Sequence, residues 1–317
     1  MSTAAAKAKR PAGAGKAAVK AKRGPLSHTE ERVEIKPRNV RFDLSNTPLH
    51  WIPGEPIASH AISTFNYMLP VGERWFCQVY ERLLPFVKDE TLRRQMLGFM
   101  GQEGIHAKTH DDVLRNFLAM HGITTAERFA DLVEWVEDRF YPLLDQLSDE
   151  ALVQVLRSQL ALIAVIEQLT AFQGTWLINC DLDQRGADPV MLDLFRWHGA
   201  EEVEHRFVAH DVAEYFEVNR WLHVALTAFV GVTYMPISLV VSKYLIDADR
   251  SLPKMGLLRI LWEARAAGKR GVLPDWLAIV KEIPLIARKG YSPELAGRTA
   301  QAVAYLAQSP AVRAVKS

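Results

Sequence analysis

Two segments of the chain carry the same pattern, a glutamate followed three residues later by a histidine. Glu103 and His106 form the first pair, and Glu202 and His205 form the second. Residues three apart lie on the same face of an α-helix, so each pair aims a carboxylate and an imidazole at one point. Carboxylate oxygens and imidazole nitrogens suit iron or manganese, and they also hold zinc. The repeated pattern predicts a metal site between two helices.

Two further glutamates lie on segments that precede these pairs. Glu73 comes before the first pair, and Glu167 comes before the second inside the apolar run of residues 162–169. A lone carboxylate in such a run is costly to bury unless a cation compensates its charge. Helix bundles hold two metal ions with one glutamate from each of two helices and a Glu-x-x-His pair from each of two others.

The combined set therefore predicts a centre of two metal ions, with iron as the first choice and manganese or zinc as alternatives. Two divalent ions would balance the charge of the four carboxylates, and these four glutamates are also the candidate catalytic groups. The ligands predicted from the two patterns and the two preceding glutamates are Glu73, Glu103, His106, Glu167, Glu202 and His205.

Neighbouring polar residues extend the set. His198 stands four residues before Glu202, and we count it as a further ligand, with a role in holding another ligand as the alternative. His110 stands four residues after His106 on the helix of the first pair. It is either a partner of a ligand or an ordinary surface residue. Gln102 and Glu201 each precede a ligand glutamate, where a side chain could orient the histidine of the facing helix. A surface or core-edge position is the alternative for both.

Three glycines recur at intervals of three residues beside the first pair: Gly98, Gly101 and Gly104. Each costs a helix up to about 1 kcal/mol relative to alanine, which indicates that space is needed there. Close helix packing and room for a substrate are the two explanations.

The elements that must position these residues are helical, because apolar residues recur at helical spacing from about residue 61 and β-hairpin signals are absent. We expect an all-α protein with a ferritin-like four-helix bundle and additional C-terminal helices. Residues 25–60 are Pro-rich and are expected to be irregular. The first expected helix runs from near Pro70 to near Pro85, and the second runs from Asp89 to His121-Gly122. The third begins at a capping box formed by Thr124 and Glu127. The fourth runs from Ser148 to about Cys180, and the fifth runs from Asp188-Pro189 to about Asn219.

Composition divides the 317 residues into three parts. Residues 1–40 are expected to be a disordered tail and linker, since residues 1–29 hold seven Lys or Arg and no acid. The tail could bind nucleic acid or an anionic membrane, or simply keep the protein in solution, and no other feature points to nucleic acid. Residues 41–220 are expected to form the bundle. Residues 221–317 are expected to form apolar and basic helices that pack on the bundle or on a membrane surface.

The segment Trp221–Ile246 is apolar and long enough to span a bilayer, but a buried bundle helix would look similar. We expect a core helix or a membrane-embedded, hairpin-like helix rather than a true span. The helices after it mix basic residues with Leu and with Trp262 and Trp276, as an interfacial helix requires. No apolar signal-peptide core follows the basic start of the chain. Only Cys77 and Cys180 are available for disulfides or thiolate ligands, which suits a reducing compartment. We therefore expect a cytoplasmic protein that lies peripherally on the inner membrane face.

At these residues the sequence resembles a bacterial family of predicted metal-dependent hydrolases, over roughly residues 40–300. The ligand set also resembles that of the di-iron N-oxygenases that oxidise aryl amines, which carry an additional histidine where His198 stands; His110 lies outside that pattern. The matching positions are Pro70, Glu73, Gln102, Glu103, His106, His110, Glu167, Trp197, His198, Glu201, Glu202, Glu204 and His205. The resemblance implies the ligand roles given above, but it implies no particular substrate.

Three functions are compatible with this site. The pattern favours a di-iron oxygenase or desaturase that acts on a small organic or lipid-like substrate with an external electron donor. The alternative is a two-metal-ion hydrolase, although such sites often take Asp and His from loops. The third is a non-catalytic protein that stores or senses metal, which normally has a shorter chain.

Overall fold

A computed structural model describes residues 32–123 and 139–316, and these residues form helices and connecting segments without any β-strand. The expected all-α class is confirmed. The α-helices with both ends in the described residues are α1 Pro56–Ser63, α2 Phe65–Leu83, α3 Glu90–Asp112, α4 Asp149–Asn179, α5 Pro189–Tyr215, α6 Arg220–Ala248, α7 Leu257–Lys269, α8 Trp276–Ile286, α9 Thr299–Leu306 and α10 Pro310–Lys316. Short 3₁₀ segments lie at Leu84–Phe86 and Pro293–Ala296, and a π-helical segment, Val113–Leu118, continues α3.

Four long helices form the bundle that carries the predicted metal ligands. Helix α4 lies along α5 and α2 lies along α3, and the two pairs meet through α3 with α5 and α2 with α4. Aromatic and aliphatic side chains such as Tyr80, Phe99 and Leu156 fill the interior on one side of the ligands. This apolar packing holds the four helices at fixed positions around the polar centre.

The bundle contains one very close helix crossing. Gly174 of α4 faces Gly199 of α5, and a Cβ atom built on Gly174 would lie 2.2 Å from the Gly199 carbonyl oxygen. Only a pair of glycines permits this approach of two backbones. Because Gly199 directly follows His198, the crossing sets the distance between α4 and α5 at the metal ligands.

Most expected helix ends agree with the structure, because capping residues marked them. Asp89, Ser148 and Asp188 accept hydrogen bonds from the first turns of α3, α4 and α5. Gly122 takes the left-handed conformation, with φ of 76°, where the expected second helix stops. Asn219, the expected end of the fifth helix, instead caps the start of α6. The helix expected from Thr124 lies outside the described residues.

Prolines misled the interpretation of the first helices. Residues 25–60 were expected to be irregular, but Pro56 occupies the first turn of α1, where its missing N–H costs nothing. The expected helix start near Pro70 is also wrong, because α2 begins at Phe65 and continues through this proline. Thr64 keeps the helical conformation between α1 and α2, so the chain enters α2 already helical.

Residues 32–40, which we call the N-terminal segment, run across the bundle. Ile35 is buried, and its carbonyl oxygen would lie 2.4 Å from a Cβ atom on Gly98. A Cβ atom on Gly101 would lie 2.3 Å from Cγ of Pro37. The N-terminal segment therefore fills the space left by these two glycines. The sequence suggested helix packing or room for a substrate instead.

The C-terminal helices pack on two sides of the bundle. Helices α9 and α10 lie on α5, where Ala302, Leu306 and Val312 join a buried apolar cluster. Helix α6 contacts α4, α1, α7 and α8, but a long apolar face of α6 remains exposed. The expected division at residue 40 and residue 220 stays a prediction, and residues 1–31 of the basic tail lie outside the described part of the chain.

Candidate metal centre

The side chains predicted as ligands come from four different helices and meet inside the bundle. Helix α2 supplies Glu73, α3 supplies Glu103 and His106, α4 supplies Glu167, and α5 supplies the remaining three. All seven are buried. The helical spacing explains the convergence, since each Glu-x-x-His pair presents both side chains on the face turned toward the other helices. The side chains from α5 are His198, Glu202 and His205.

Two overlapping groups of ligand atoms occupy the centre, and within each group all atoms lie within 4.8 Å of one another. His106 and Glu202 belong to both groups. The first group adds Glu73 and His198, and the second adds Glu103 and His205. Two adjacent ion positions that share a carboxylate would produce this arrangement. We call the set of these six side chains the dinuclear centre.

Glu202 occupies the middle of the dinuclear centre. Its Oε1 atom lies 2.8 Å from Nε2 of His198, 3.7 Å from Nε2 of His205 and 3.6 Å from Nδ1 of His106. One carboxylate oxygen therefore faces imidazoles from both Glu-x-x-His helices. This position is suited to a carboxylate that bridges two ions.

Several buried ligand atoms have no hydrogen-bond partner among the described residues. These atoms are both carboxylate oxygens of Glu73, both of Glu103, Nδ1 of His106 and Nε2 of His205. A buried polar atom without a partner costs about 1–3 kcal/mol, and a charged one costs more. Four such side chains aimed at one point are explained by cations that replace the missing hydrogen bonds. The residues therefore fit the predicted pair of metal ions.

The protonation states of the metal-free centre reflect crowded negative charge. Burial raises the pKa of Glu73 and of Glu103 well above the usual value, and neighbouring carboxylates raise it further. Burial also raises the pKa of Glu167 to about 7. Burial opposes the charge on Glu202 and His205, but the two groups stabilise each other: the pKa of Glu202 is lowered and that of His205 is raised to about 9. Without cations the centre must retain protons.

His106 is oriented by a carboxylate on its far side. Its Nε2 atom lies 2.8 Å from Oε2 of Glu201, so Nδ1 faces the dinuclear centre. Arg38 of the N-terminal segment donates hydrogen bonds to Glu201 at 2.7 Å and to Glu204 at 2.7 and 2.9 Å. Gln102 donates to Glu204 at 3.1 Å. Glu201 thus contacts the histidine of the facing helix, as its place before Glu202 suggested. Gln102 contacts Glu204 rather than a histidine.

His198 is oriented by a chain of two buried side chains. Its Nδ1 atom lies 2.7 Å from Nε2 of His110, and Nδ1 of His110 lies 2.7 Å from Oδ1 of Asn66. Because the Asn66 oxygen can only accept, His110 carries its proton on Nδ1 and accepts the proton of His198 on Nε2. His198 therefore presents the lone pair of Nε2 to the dinuclear centre. His110 is buried behind His198 and is not a surface residue.

Glu167 lies behind His205 and is in neither group of ligand atoms. Its Oε2 atom is 2.8 Å from Nδ1 of His205, which leaves Nε2 of that ring facing the dinuclear centre. Such a carboxylate behind a ligating imidazole fixes the ring and raises its basicity. The predicted ligand role of Glu167 stays a prediction. On the same helix, Thr170 donates to Oε2 of Glu202.

The sequence interpretation missed three polar side chains that support the centre. Thr170 follows Glu167 by three residues, so helical spacing could have placed it on the same face. Arg38 and Asn66 carry no such signal, because each meets its partner across a long sequence separation, 163 residues for Arg38 with Glu201 and 44 for Asn66 with His110.

Fold and site together define an all-α helical-bundle protein with a buried glutamate and histidine cluster suited to metal ions. A family model described as "predicted metal-dependent hydrolase" matches residues 36–297, and the chain belongs to this family. The matched range contains α1 to α8 and therefore every side chain of the dinuclear centre. No curated protein and no solved structure matches the chain.

Proposed function

We propose that this protein is a dinuclear metal enzyme that hydrolyses a bond in a small organic or lipid-like substrate. The observation that carries the proposal is the pair of overlapping ligand groups, with buried ligand atoms that lack hydrogen bonds. The family description supports hydrolysis over the di-iron oxidation that the sequence pattern favoured. Two divalent ions bound there would supply a water of lowered pKa and polarise the bond under attack.

The protein's own residues hold the imidazoles and shield one side of the centre from solvent. Glu201 fixes His106 and Glu167 fixes His205, each through a contact of 2.8 Å. Oε2 of Glu167 accepts a hydrogen bond from Nδ1 of His205, because the pKa of His205 is raised to about 9 while burial brings the pKa of Glu167 only to about 7. Phe99 contacts the ring of His205 edge-on, with 4.8 Å between centroids. This apolar wall excludes solvent from one side of the dinuclear centre.

An apolar cavity supports a lipid-like substrate. It has a volume of about 110 Å³ and lies between α1, α6, α7 and α8. Gln173 of α4 lines the cavity, and Thr170, one helical turn away on the same helix, contacts Glu202. The cavity therefore approaches the dinuclear centre along α4. Arg265 and Trp276 also line the cavity and form a cation–π contact, with 5.4 Å from the guanidinium carbon to the ring centroid.

A second candidate function is di-iron oxidation by an oxygenase or desaturase. The observation that favours it is that all six side chains of the dinuclear centre lie on α-helices and that its carboxylates are all glutamates. This is the ligand set of ferritin-like carboxylate proteins that hold iron or manganese. The reaction would require O2 and an electron donor, and the metal in the cell stays a prediction.

Activity with and without O2 separates the two candidates. Metal-free protein is loaded anaerobically with Zn²⁺, Mn²⁺ or Fe²⁺ and offered chromogenic esters with acyl chains of increasing length. Hydrolysis without O2 that is lost in Glu103→Gln is the expected result. Turnover that appears only with the ferrous protein and consumes O2 would overturn hydrolysis and support oxidation. Glu34→Gln, on an exposed carboxylate of the N-terminal segment, is the matched control.

We also propose that α6 and α7 place the protein on an anionic membrane. Within the described ranges, α4 and α6 are long and apolar enough to cross a bilayer by length and composition, but α4 is mostly buried and α6 is mostly exposed. Leu258 and Trp262 on α7 are 84% and 67% exposed, next to the basic residue Arg259. An exposed apolar face beside basic side chains supports binding at the interface rather than a span. Trp276, which the sequence suggested for the same face, lines the cavity instead.

A further inference from the structure

A second group of metal-binding side chain types lies outside the dinuclear centre. His50 precedes α1, His60 lies in α1, and Asp249 follows the last residue of α6. One ligand atom from each of the three lies within 4.8 Å of the others. His60 and Asp249 are buried, while the side chain of His50 is 30% exposed. No local spacing connects these residues, because 189 positions separate His60 from Asp249.

Both histidines aim the same nitrogen at one carboxylate oxygen. Nε2 of His50 lies 2.7 Å and Nε2 of His60 lies 2.8 Å from Oδ2 of Asp249. The two rings are nearly perpendicular, with centroids 5.5 Å apart. The two nitrogens and the oxygen therefore converge from three elements of the fold toward a single point.

The other oxygen of the carboxylate is held in place by the backbone that follows it. Oδ1 of Asp249 accepts hydrogen bonds from the backbone nitrogen of Ser251 at 2.8 Å and from its hydroxyl at 2.7 Å. Ser251 thereby fixes the rotation of the carboxylate so that Oδ2 faces both histidines. Support of a carboxylate through its second oxygen is typical of sites in which the first oxygen binds a metal ion.

We infer that His50, His60 and Asp249 form a mononuclear site for a divalent transition-metal ion of the zinc class. Two imidazoles and one carboxylate leave the fourth position of a tetrahedral ion for water, and the exposed edge of His50 admits solvent to it. At zinc–ligand distances of about 2.0–2.1 Å, tetrahedral ligands lie roughly 3.3 Å apart. Each histidine nitrogen must therefore withdraw from Oδ2 by roughly half an ångström when the ion enters.

Metal bound at this site would join parts of the chain that are distant in sequence. It would tie the residues before α1 and α1 itself to the end of α6. Helices α1 and α6 also line the apolar cavity, so the ion would fix two of its walls. The inference does not depend on the proposed function, because the two sites share no residue.

The test is metal content in the full-length protein. Metal-free protein is dialysed against Zn²⁺, washed, and analysed for zinc per chain. The expected result is three ions in the unsubstituted protein and two in His50→Gln, whose amide can still donate to Asp249 but cannot bind zinc. His121→Gln is the matched control and should retain three ions. Nε2 of His121 lies 3.0 Å from the backbone oxygen of Thr47, and this ring belongs to none of the groups of candidate metal ligands that the described residues form.

A second variant and a second measurement keep the result interpretable. Asp249→Asn, which keeps one acceptor oxygen and places an amide nitrogen at the other position, should also lose one ion, and circular dichroism shows whether each variant is folded. Zinc should raise the melting temperature less in His50→Gln than in His121→Gln. Equal zinc content in the unsubstituted protein, His50→Gln and Asp249→Asn would overturn the inference. If the dinuclear centre binds no metal, the unsubstituted protein should hold one ion and His50→Gln should hold none. The mononuclear site can therefore be tested whether or not the dinuclear centre binds metal.

Discussion

His110 and His198 share a proton across 2.7 Å, and the second ring is thereby turned toward the dinuclear centre. The contact explains why a histidine outside the Glu-x-x-His pattern is fully buried. His110 itself is anchored by Asn66, so the orientation of His198 depends on a residue in α2. His198, His110 and Asn66 therefore belong to three different helices.

This arrangement predicts graded losses of metal affinity. His198→Ala removes an imidazole from one ligand group and should weaken binding at that position severely, as should His205→Ala. His110→Ala leaves every ligand in place and should weaken binding by about 10–100-fold, the usual effect of a partner behind a ligand. Competition with a chelator measures the affinities. Equal, small losses for His198→Ala and His110→Ala would remove His198 from the ligand set.

The stability of the metal-free protein should fall as the pH rises from 6.5 to 9. In this interval the native state retains protons that the unfolded chain has lost, because the pKa of Glu167 is about 7 against 4.5 and that of His205 is about 9 against 6.5. The free energy of unfolding then decreases by about 1.4 kcal/mol per pH unit for each additional proton held by the native state. Burial lowers the pKa of His106 and of His198, and this partly offsets the decrease up to about pH 7.5, because both rings are still partly protonated in the unfolded chain there. The protons that Glu73 and Glu103 retain in the native state add to the decrease.

Metal should abolish this dependence, because bound cations replace the retained protons. Thermal unfolding of metal-free and metal-loaded protein at several pH values between 6.5 and 9 measures both slopes. A metal-free protein whose melting temperature is constant or increases over this interval would contradict the charge crowding described for the centre.

The contact between Gly174 and Gly199 predicts a strong effect of one methyl group. Gly174→Ala would place its Cβ atom 2.2 Å from a backbone oxygen, so α4 and α5 must separate. Overpacking of this kind costs about 1–3 kcal/mol, and the shift should also weaken metal binding. Gly104→Ala is the matched control, since its Cβ atom would meet nothing within 4 Å and should stabilise α3 by up to about 1 kcal/mol. Chemical denaturation and metal titration compare the two variants, and similar stabilities would disprove the close crossing.

Membrane binding should depend on the exposed face of α7. Leu258→Ala combined with Trp262→Ala removes two exposed apolar side chains and should reduce sedimentation with vesicles that contain phosphatidylglycerol. Deletion of residues 1–29 should reduce binding further at low salt, because seven basic residues are lost. Leu97→Ala, on an exposed leucine of α3, should have no effect. Protein that remains in the supernatant with every lipid composition would exclude the membrane proposal.

Local spacing predicted the parts of the fold and the site that lie within one helix. The Glu-x-x-His pairs could be placed because residues three apart share a helix face, and Asp89, Ser148 and Asp188 marked helix starts through their capping bonds. Glu167 could be identified as a buried carboxylate because it interrupts an apolar run.

Contacts that join distant parts of the chain could not be predicted in this way. The His50, His60 and Asp249 group has no periodic signal, because its members belong to three separate elements. The glycines at 98 and 101 indicated that space was needed but not what fills it. Whether Glu167 binds metal directly or through His205 depends on a side-chain position that spacing alone does not fix.

Arg38 makes the first described residues part of the charge balance around the dinuclear centre. It is the cation that contacts Glu201 and Glu204, both buried on α5, and it reaches them across 163 and 166 positions of sequence. The N-terminal segment must therefore close onto α5 before Glu201, the carboxylate behind His106, gains this counter-charge. Closure of so long a loop is slow relative to helix formation. A truncated protein beginning at residue 41 would contain every ligand of the dinuclear centre, but it would bury two acidic side chains without this counter-charge.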